Sequence, residues 1–464
     1  MKTSTTAKII VALAIVVLSF SACAGADTEE SLVWDGDISF FYGQTLTIAI
    51  PNDNRHIKAI HNAAWAYMNM TGATIEIVQA PEDVEAAQAQ IAMQLMTGTA
   101  PTLMSAFLFD YANPMLFADW RPLFDLHPDF CYDDWNMNAF DALTVDGQLL
   151  NFTTCFAYFY VLANSEIYDL ALVLAERDSI TLTELLELYS KFNNNPTVAG
   201  DSLFLAPQFD LYFALTHFYM HHFLDIETGM VNFNSREFID FINTVQVVVN
   251  TESSFADTPL WWWPVGCRST EALLSNTYMF RFKPVLPIEN LGIFDEDTIF
   301  VNPTLLVCAN GNLLIDDSLR TGWGLNAGAT FVEQVMALDF LLFLADVGGR
   351  HSGWAVTGVW HPTNKSVLHY EAVYILDSII MRFYVMRSLW RLREGISATD
   401  AAEELLERKI EVGEMPMLRA FYAPSQIREL IRESLYSFHR GFVSAEQTAQ
   451  DLQNRVTLVL LEIE

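Results

Sequence analysis

Leu46-Thr47-Ile48-Ala49-Ile50-Pro51-Asn52-Asp53-Asn54 is an apolar run of strand length that ends at a proline and three polar residues, and a helical pattern follows it to about Asn69. The unit then repeats. Thr74-Ile75-Glu76-Ile77-Val78 reads as a second strand, residues 81–96 as a second helix, and Thr102-Leu103-Met104-Ser105-Ala106-Phe107 as a third strand. Short apolar runs alternating with longer helical patterns predict an α/β architecture, in which parallel strands are joined by crossover helices. Sheets of that kind bind ligands outside the carboxyl ends of their strands. The rule selects Asn52 and Asp53 after the first strand, and Asp110 and Tyr111 after the third, as candidate ligand contacts. Ordinary loop polarity accounts for the same residues.

Upstream of this unit, Lys2 and Lys8 precede an apolar run over residues 9–18, and Ser21 and Ala22 lead into Cys23, which is the layout of a secretory signal. The run is too short to span a bilayer, which needs about 20 apolar residues. Ser19-Phe20-Ser21-Ala22-Cys23 resembles the bacterial lipobox, with Phe20 where an aliphatic residue is usual. That resemblance implies removal of residues 1–22, lipidation of Cys23, and a place on the extracellular face of the cell membrane. An ordinary cleavable signal with an incidental cysteine is the competing reading. Residues 24–37 are small, polar and acidic without apolar period, so 23–38 read as a tether between lipid and fold.

The 464 residues carry a net charge of -32, from 25 basic and 57 acidic side chains. Removal of residues 1–22 takes away Lys2 and Lys8 and no acid, deepening the charge to -34. Phosphate binding needs a basic footprint, so nucleic acid is not an expected partner. A composition that is 52% hydrophobic and 13% aromatic supplies substantial cores, and this length suggests at least two domains. Cys131, Cys155, Cys267 and Cys308 are far apart and form no C-x-x-C, so neither a zinc knuckle nor a redox pair is indicated, and their pairing is not readable.

Motif order along the chain resembles the extracellular solute-binding proteins, family 1, which serve ABC transporters and bind sugars and oligosaccharides. Gly98-Thr99-Ala100-Pro101-Thr102-Leu103 is similar to the family's Gly-x-x-Pro-Asp segment, with Thr102 in place of Asp, and Trp120-Arg121-Pro122-Leu123-Phe124-Asp125-Leu126 to its leucine-aspartate turn. Asp146-Gly147-Gln148-Leu149-Leu150-Asn151-Phe152 leads through Tyr158 to Ala163-Asn164-Ser165-Glu166-Ile167-Tyr168, which resembles the family's crossing between lobes. Thr183-Glu184-Leu185-Leu186 and Phe233-Asn234-Ser235-Arg236-Glu237-Phe238 resemble helix starts, and Trp323-Gly324-Leu325-Asn326-Ala327 precedes an amphipathic helix. Gly358-Val359-Trp360-His361-Pro362-Thr363-Asn364-Lys365 resembles the return to the second lobe, and residues 441–455 open a closing helix. The family's Gly-Lys-x-Ala-Met segment has no counterpart in residues 271–283.

The resemblance implies a two-lobed periplasmic-binding-protein-like fold of class II type, with several hinge crossings and a helical C-terminal region. Lobe 1 is expected from residues 39–155 and 300–362, and lobe 2 from 156–299 and 363–464. Neutral sugars present hydroxyls around apolar C–H faces, so a site for them wants flat aromatics and polar side chains together. Trp261-Trp262-Trp263-Pro264 is the densest aromatic cluster, and strand alternation prevents all three indoles from lining one surface. Trp262 is chosen from it as a stacking residue, with Trp360 at the later return, and core packing is the alternative for each. Tyr158, Asp210 and Tyr212 fall where the resemblance implies inner-wall residues; burial with a satisfied polar group competes for each.

Catalysis finds little support in the same residues. His217 and His221 have i, i+4 spacing, yet Phe218 stands where H-E-x-x-H needs Glu, and the neighbours are apolar. Asp295-Glu296-Asp297 lacks the spaced ligands of a calcium loop, and the pair Asp133 and Asp134 is unremarkable among so many acids. Neither G-x-S-x-G nor G-x-x-x-x-G-K-[ST] occurs. The expectation is a monomeric, non-enzymatic binding protein without metal or cofactor, its partners a carbohydrate, ABC permease subunits and, through lipid, the membrane. A binding protein for peptide or another polar solute, and a surface glycoside-active enzyme, are the alternatives.

Overall fold

The computed structural model describes residues 34–164, 173–192, 211–248, 280–284, 300–315, 322–345, 361–367 and 407–463, apart from positions 35, 52–53, 82, 109–115, 146, 157, 175, 227, 309, 408–409 and 420–422. Strand β1 (Thr45–Ile50) pairs in parallel with β2 (Thr74–Gln79), from Thr45 opposite Thr74 to Ile50 opposite Gln79, and on its other side with β3 (Leu103–Ser105). The connecting helix Asn54–Thr71 buries Ile60, Ala63, Ala64 and Tyr67, the i, i+3, i+4, i+7 stripe of a helix lying on a sheet. The next helix, Val84–Met96, begins only after Asp83, whose Oδ1 accepts the Ala86 N–H at 2.8 Å. It buries Ala87 and Ile91, one turn apart.

Beyond β3 the chain forms β4 (Phe152–Thr153), β5 (Cys155–Phe156), β6 (Phe159–Asn164), β7 (Ser179–Thr181), the small hairpin β8 (Leu224–Asp225) and β9 (Met230–Val231), then β10 (Phe280–Pro284), β11 (Phe300–Val307), β12 (Leu313–Ile315), β13 (Gly322–Leu325), β14 (His361–Pro362) and β15 (Met417–Arg419). The first sheet has the order β2-β1-β3-β13-β4, with β13 antiparallel to both its neighbours. A strand from late in the chain is thus inserted between two early ones. The second sheet has the order β10-β6-β11-β12-β15, with β7 also paired to β11.

Each sheet has its own helical cover. The helix Phe331–Phe343 opens with a capping box, Thr330 and Glu333 each satisfying the other's backbone, and is buried almost all round against the first sheet's core. Helices Leu182–Phe192, Arg236–Val248, Ser425–His439 and Ala445–Ile463 surround the second core. The last two form a hairpin. Its turn needs Gly441, which takes a φ of +73° while its N–H bonds Phe438 O at 2.8 Å. Ser444 and Gln447 then exchange side-chain bonds to start the final helix.

The expected lobe boundary at residue 300 is corrected by the strand pairing. Residues 300–307 and 313–315 form β11 and β12 of the second sheet, β11 lying against β6 from Phe300 to Leu305. The chain rejoins the first sheet between Ile315 and Gly322. Where its side chains are described, the end of β11 is buried on both faces: Leu305 and Val307 enter the first sheet's core, and Leu306 and the following Cys308 the second core. A strand apolar on both faces carries no alternation, so its sequence cannot say which sheet it joins.

Candidate functional site

In the first sheet β1, β2 and β3 run parallel, β13 runs against them, and β4 runs with them. The carboxyl ends of β1, β3 and β4 and the start of β13 therefore share one edge of the sheet. From that edge the chain leaves for the second sheet between Phe156 and Phe159, and to it the chain returns between Ile315 and Gly322. A third passage joins β14, paired to β5, with β15, paired to β12. Strand ends and crossings thus meet in one place, where ligands bind in open α/β sheets.

Thr363 ties the crossings together. Its N–H donates to Thr154 O at 3.0 Å, its Oγ1 donates to Thr153 O at 2.7 Å, and its O accepts the Asn136 N–H at 2.8 Å. It is fully buried, so these bonds are shielded from water. The neighbouring Asn364 bridges to Trp135, Lys365 pairs with Glu414 at 3.1 Å, and the Asn138 amide donates to the carbonyls of Glu414 and Met415 at 3.2 Å. The first lobe is thereby fastened to the segment that enters β15. Behind this edge, Trp120 Nε1 donates to Trp323 O at 3.1 Å, and Asn326 Nδ2 donates to Ala100 O at 3.1 Å, which fixes β13 in its inserted position.

One polar side chain, set at the amino end of β4 and leaning over the start of β13, stands apart. Asn151, directly before β4, is 1% exposed, and neither its Nδ2 nor its Oδ1 has a hydrogen-bonding partner among the described residues. Gly322 lies against it, and a Cβ at 322 would overlap the Asn151 amide.

Of the residues selected from the sequence, two are described. Tyr158 sits in the first crossing, 1% exposed, with its ring centroid 6.1 Å from that of Phe156. Tyr212, 9% exposed, lies in the second core, and its carbonyl accepts the Thr216 hydroxyl at 2.8 Å. The two belong to separate cores and are not brought together. Asn52, Asp53, Asp110, Tyr111, Asp210, Trp262, Trp360 and Cys23 lie outside the described residues. Sequence reading missed Asn151 and Thr363 as notable positions, although both stand in the segments that resemble lobe crossings. For Asn151 the available signal was a polar residue inside an apolar run; Thr363, among polar neighbours, offered none.

The histidine cluster takes a different shape from the α-helical one expected. The backbone at His217 forms part of a π turn, Leu215–Tyr219, and His221 and His222 follow in the short helix Met220–Phe223. Among the described residues no group of three or more His, Cys, Asp or Glu side chains is placed to hold a metal ion. No described helix is long and apolar enough to cross a membrane. Shifted ionisation belongs to the scaffold: burial pushes the Cys308 thiol up to about 11, and burial with a bond to Asp125 pushes Tyr132 up to about 12. The Glu184 carboxylate, held by the Thr181 N–H and hydroxyl and by Arg177, sits below its ordinary range at a helix start.

Two sheets joined by repeated crossings, with a late strand inserted into the early sheet, define a two-lobed periplasmic binding protein fold. Among solved structures the chain is similar to an extracellular solute-binding protein family 1 member from Alicyclobacillus acidocaldarius, at 13% identity and a TM-score of 0.58, over 90% of this chain and 99% of that one. It is similar also to a cyclic alpha-maltosyl-1,6-maltose binding protein from Arthrobacter globiformis (13%, TM-score 0.56, 90% and 100%). A third is a maltose/maltodextrin-binding domain from Bdellovibrio bacteriovorus bound to maltotriose (13%, TM-score 0.53, 90% and 100%). No family model matches the sequence, and no curated protein does.

Proposed function

We propose that the chain is the substrate-binding lipoprotein of an ABC importer, which captures a sugar or oligosaccharide between its lobes and delivers it to a membrane permease. The observation that carries this reading is the pair of sheets linked by two crossings, with a third passage from the small β5–β14 sheet to β15, because lobes so linked can close on a ligand by hinge motion. Ligand drives closure only through contacts it makes better in one arrangement than in the other. The carbohydrate assignment is supported by the maltose-type ligands named for two proteins of the same fold and by the aromatic richness of the sequence. Binding without turnover is the role assigned, and the acting form is a monomer. Trp262, Trp360, Asn52, Asp53, Asp110, Tyr111 and Asp210 stay as ligand-contact proposals; Tyr158 and Tyr212, buried in the two cores, do not.

A thermal-shift screen of the purified chain against mono- and oligosaccharides, short peptides and polyamines tests the reading. A ligand at a hundredfold excess over its dissociation constant adds about 2.7 kcal/mol to native stability. A saturable shift with one sugar class and no product is the expected result. Shifts with peptides or polyamines alone would overturn the carbohydrate assignment and keep the fold, and a persistently cleaved sugar would make the chain an enzyme. For the anchor at Cys23, mass spectrometry of the protein from membranes should show an acylated N-terminus at that residue. Release of the native chain into the medium, indistinguishable from Cys23→Ala, would remove that part of the proposal.

A further inference from the structure

We infer that Asn151 is a conformational sensor at the hinge, an amide left without partners in the lobe arrangement seen here and supplied with them when the crossings move. The inference rests on the lobe motion of the function proposed above. Alternation along β13 places Gly322 and Gly324 opposite Trp323 and Leu325, on the face of Ala49 and Met104. Contact with Gly322 puts the Asn151 amide on that face, beside Leu150 of the Ala49 cluster. Gly322 supplies the space, since any Cβ there would occupy the position of the amide oxygen.

An asparagine amide carries two donors and an acceptor, and burying them unmatched costs the full desolvation of each group. The cost falls on this arrangement of the crossings. Both flanking segments belong to crossings, since β4 runs through Thr154 into β5 and the departing chain, and Gly322 is the first residue of the returning strand. Movement at either crossing changes what faces the amide. Among the described residues at the crossings only Asn151 has both amide atoms without a partner: Thr153, Thr363, Asn326 and Asn364 have bonded side chains, and Asn136 leaves its Nδ2 alone unpaired while its Oδ1 accepts the Ala139 N–H.

Asn151→Leu keeps the branched shape and removes the groups that need partners, so the arrangement seen here should gain roughly tenfold in population over its alternative. Gly322→Ala drives a methyl into the amide and should act in the opposite direction. Small-angle X-ray scattering of the purified, ligand-free full chain reads the lobe arrangement directly. The expected result is that the leucine variant moves toward the profile of this structure, and the alanine variant away from it. Profiles of both variants superimposing on that of the native chain, with only the melting midpoints changed, would reduce Asn151 to a local packing cost. Movement of the leucine variant away from this structure would overturn the inference outright. Asn151→Ala repeats the test with a smaller side chain should leucine prove too large for the fold. Because no ligand is added, failure of the carbohydrate assignment would leave this result readable.

Discussion

Single side chains decide more here than their number suggests. Asp339 receives the Tyr67 hydroxyl at 2.6 Å on one oxygen and meets His127 Nε2 at 3.2 Å on the other, joining two helices to the carboxyl end of a third, Arg121–Leu126. The Asp129 N–H donates to His127 Nδ1, which leaves Nε2 as the ring nitrogen that donates toward Asp339. A second buried histidine behaves differently. His439 ends the helix Ser425–His439, where the dipole favours a cation, yet burial and then the adjacent Arg440 hold its pKa below the ordinary 6.5. Burial wins. The unfolded chain then binds the extra proton, so the stability His439 contributes is present above pH 6.5 and is lost as pH falls from there through the folded-state value. Melting midpoints should drop on acidification from pH 7 toward pH 5, and His439→Gln should flatten that slope; an unchanged slope would contradict the assignment. At this scale the sequence was least informative. Tyr158 and Tyr212 were chosen by position, and both rings are buried, because a tyrosine in an apolar run fits a core as readily as a binding wall.

Elements were more legible, for identifiable reasons. The first strands and helices showed because their periods of two and 3.6 are long and bounded by proline, glycine and capping residues, and the observed bounds differ from expectation only at the ends. The third strand is shorter than expected, since Ala106–Leu108 turns into a 3-10 helix where the chain leaves the sheet. Helix Phe331–Phe343 gives a direct test of a local device. Thr330 Oγ1 receives the Glu333 N–H while the Glu333 carboxylate receives the Thr330 N–H at 2.8 Å. Thr330→Ala should cost about 1 kcal/mol in chemical denaturation. A cost near zero would mean that packing of Val335, Met336, Leu338 and Leu341 alone sets this helix's start.

At the scale of the molecule, the apolar cluster of the first lobe takes in Leu305, Val307, Leu313 and Ile315 from the second sheet. Strand β11 serves both cores at once, so neither lobe keeps a complete interior without the other. Calorimetry of the ligand-free chain should therefore give one cooperative unfolding transition whose calorimetric and van't Hoff enthalpies agree. Two resolved transitions would show that the lobes melt separately and that the shared strand couples them weakly. The lobe plan was legible from the order of motifs, but the return point was not. Pairing partners of a doubly buried strand are set by three-dimensional competition rather than by its own pattern. The inserted β13 carries one more consequence, for the order of events as the chain is made. Phe152 of β4 is paired with Trp323 of β13, and the strands from β6 to β12 lie between them in the chain. As the polypeptide emerges from the ribosome, β3 can pair with β1, but no strand joins β3 to β4 until β13 arrives. The early sheet must wait, incomplete, while the strands of the later one are synthesised. A chaperone that holds nascent chains open would find here a client whose first sheet is the last to be completed.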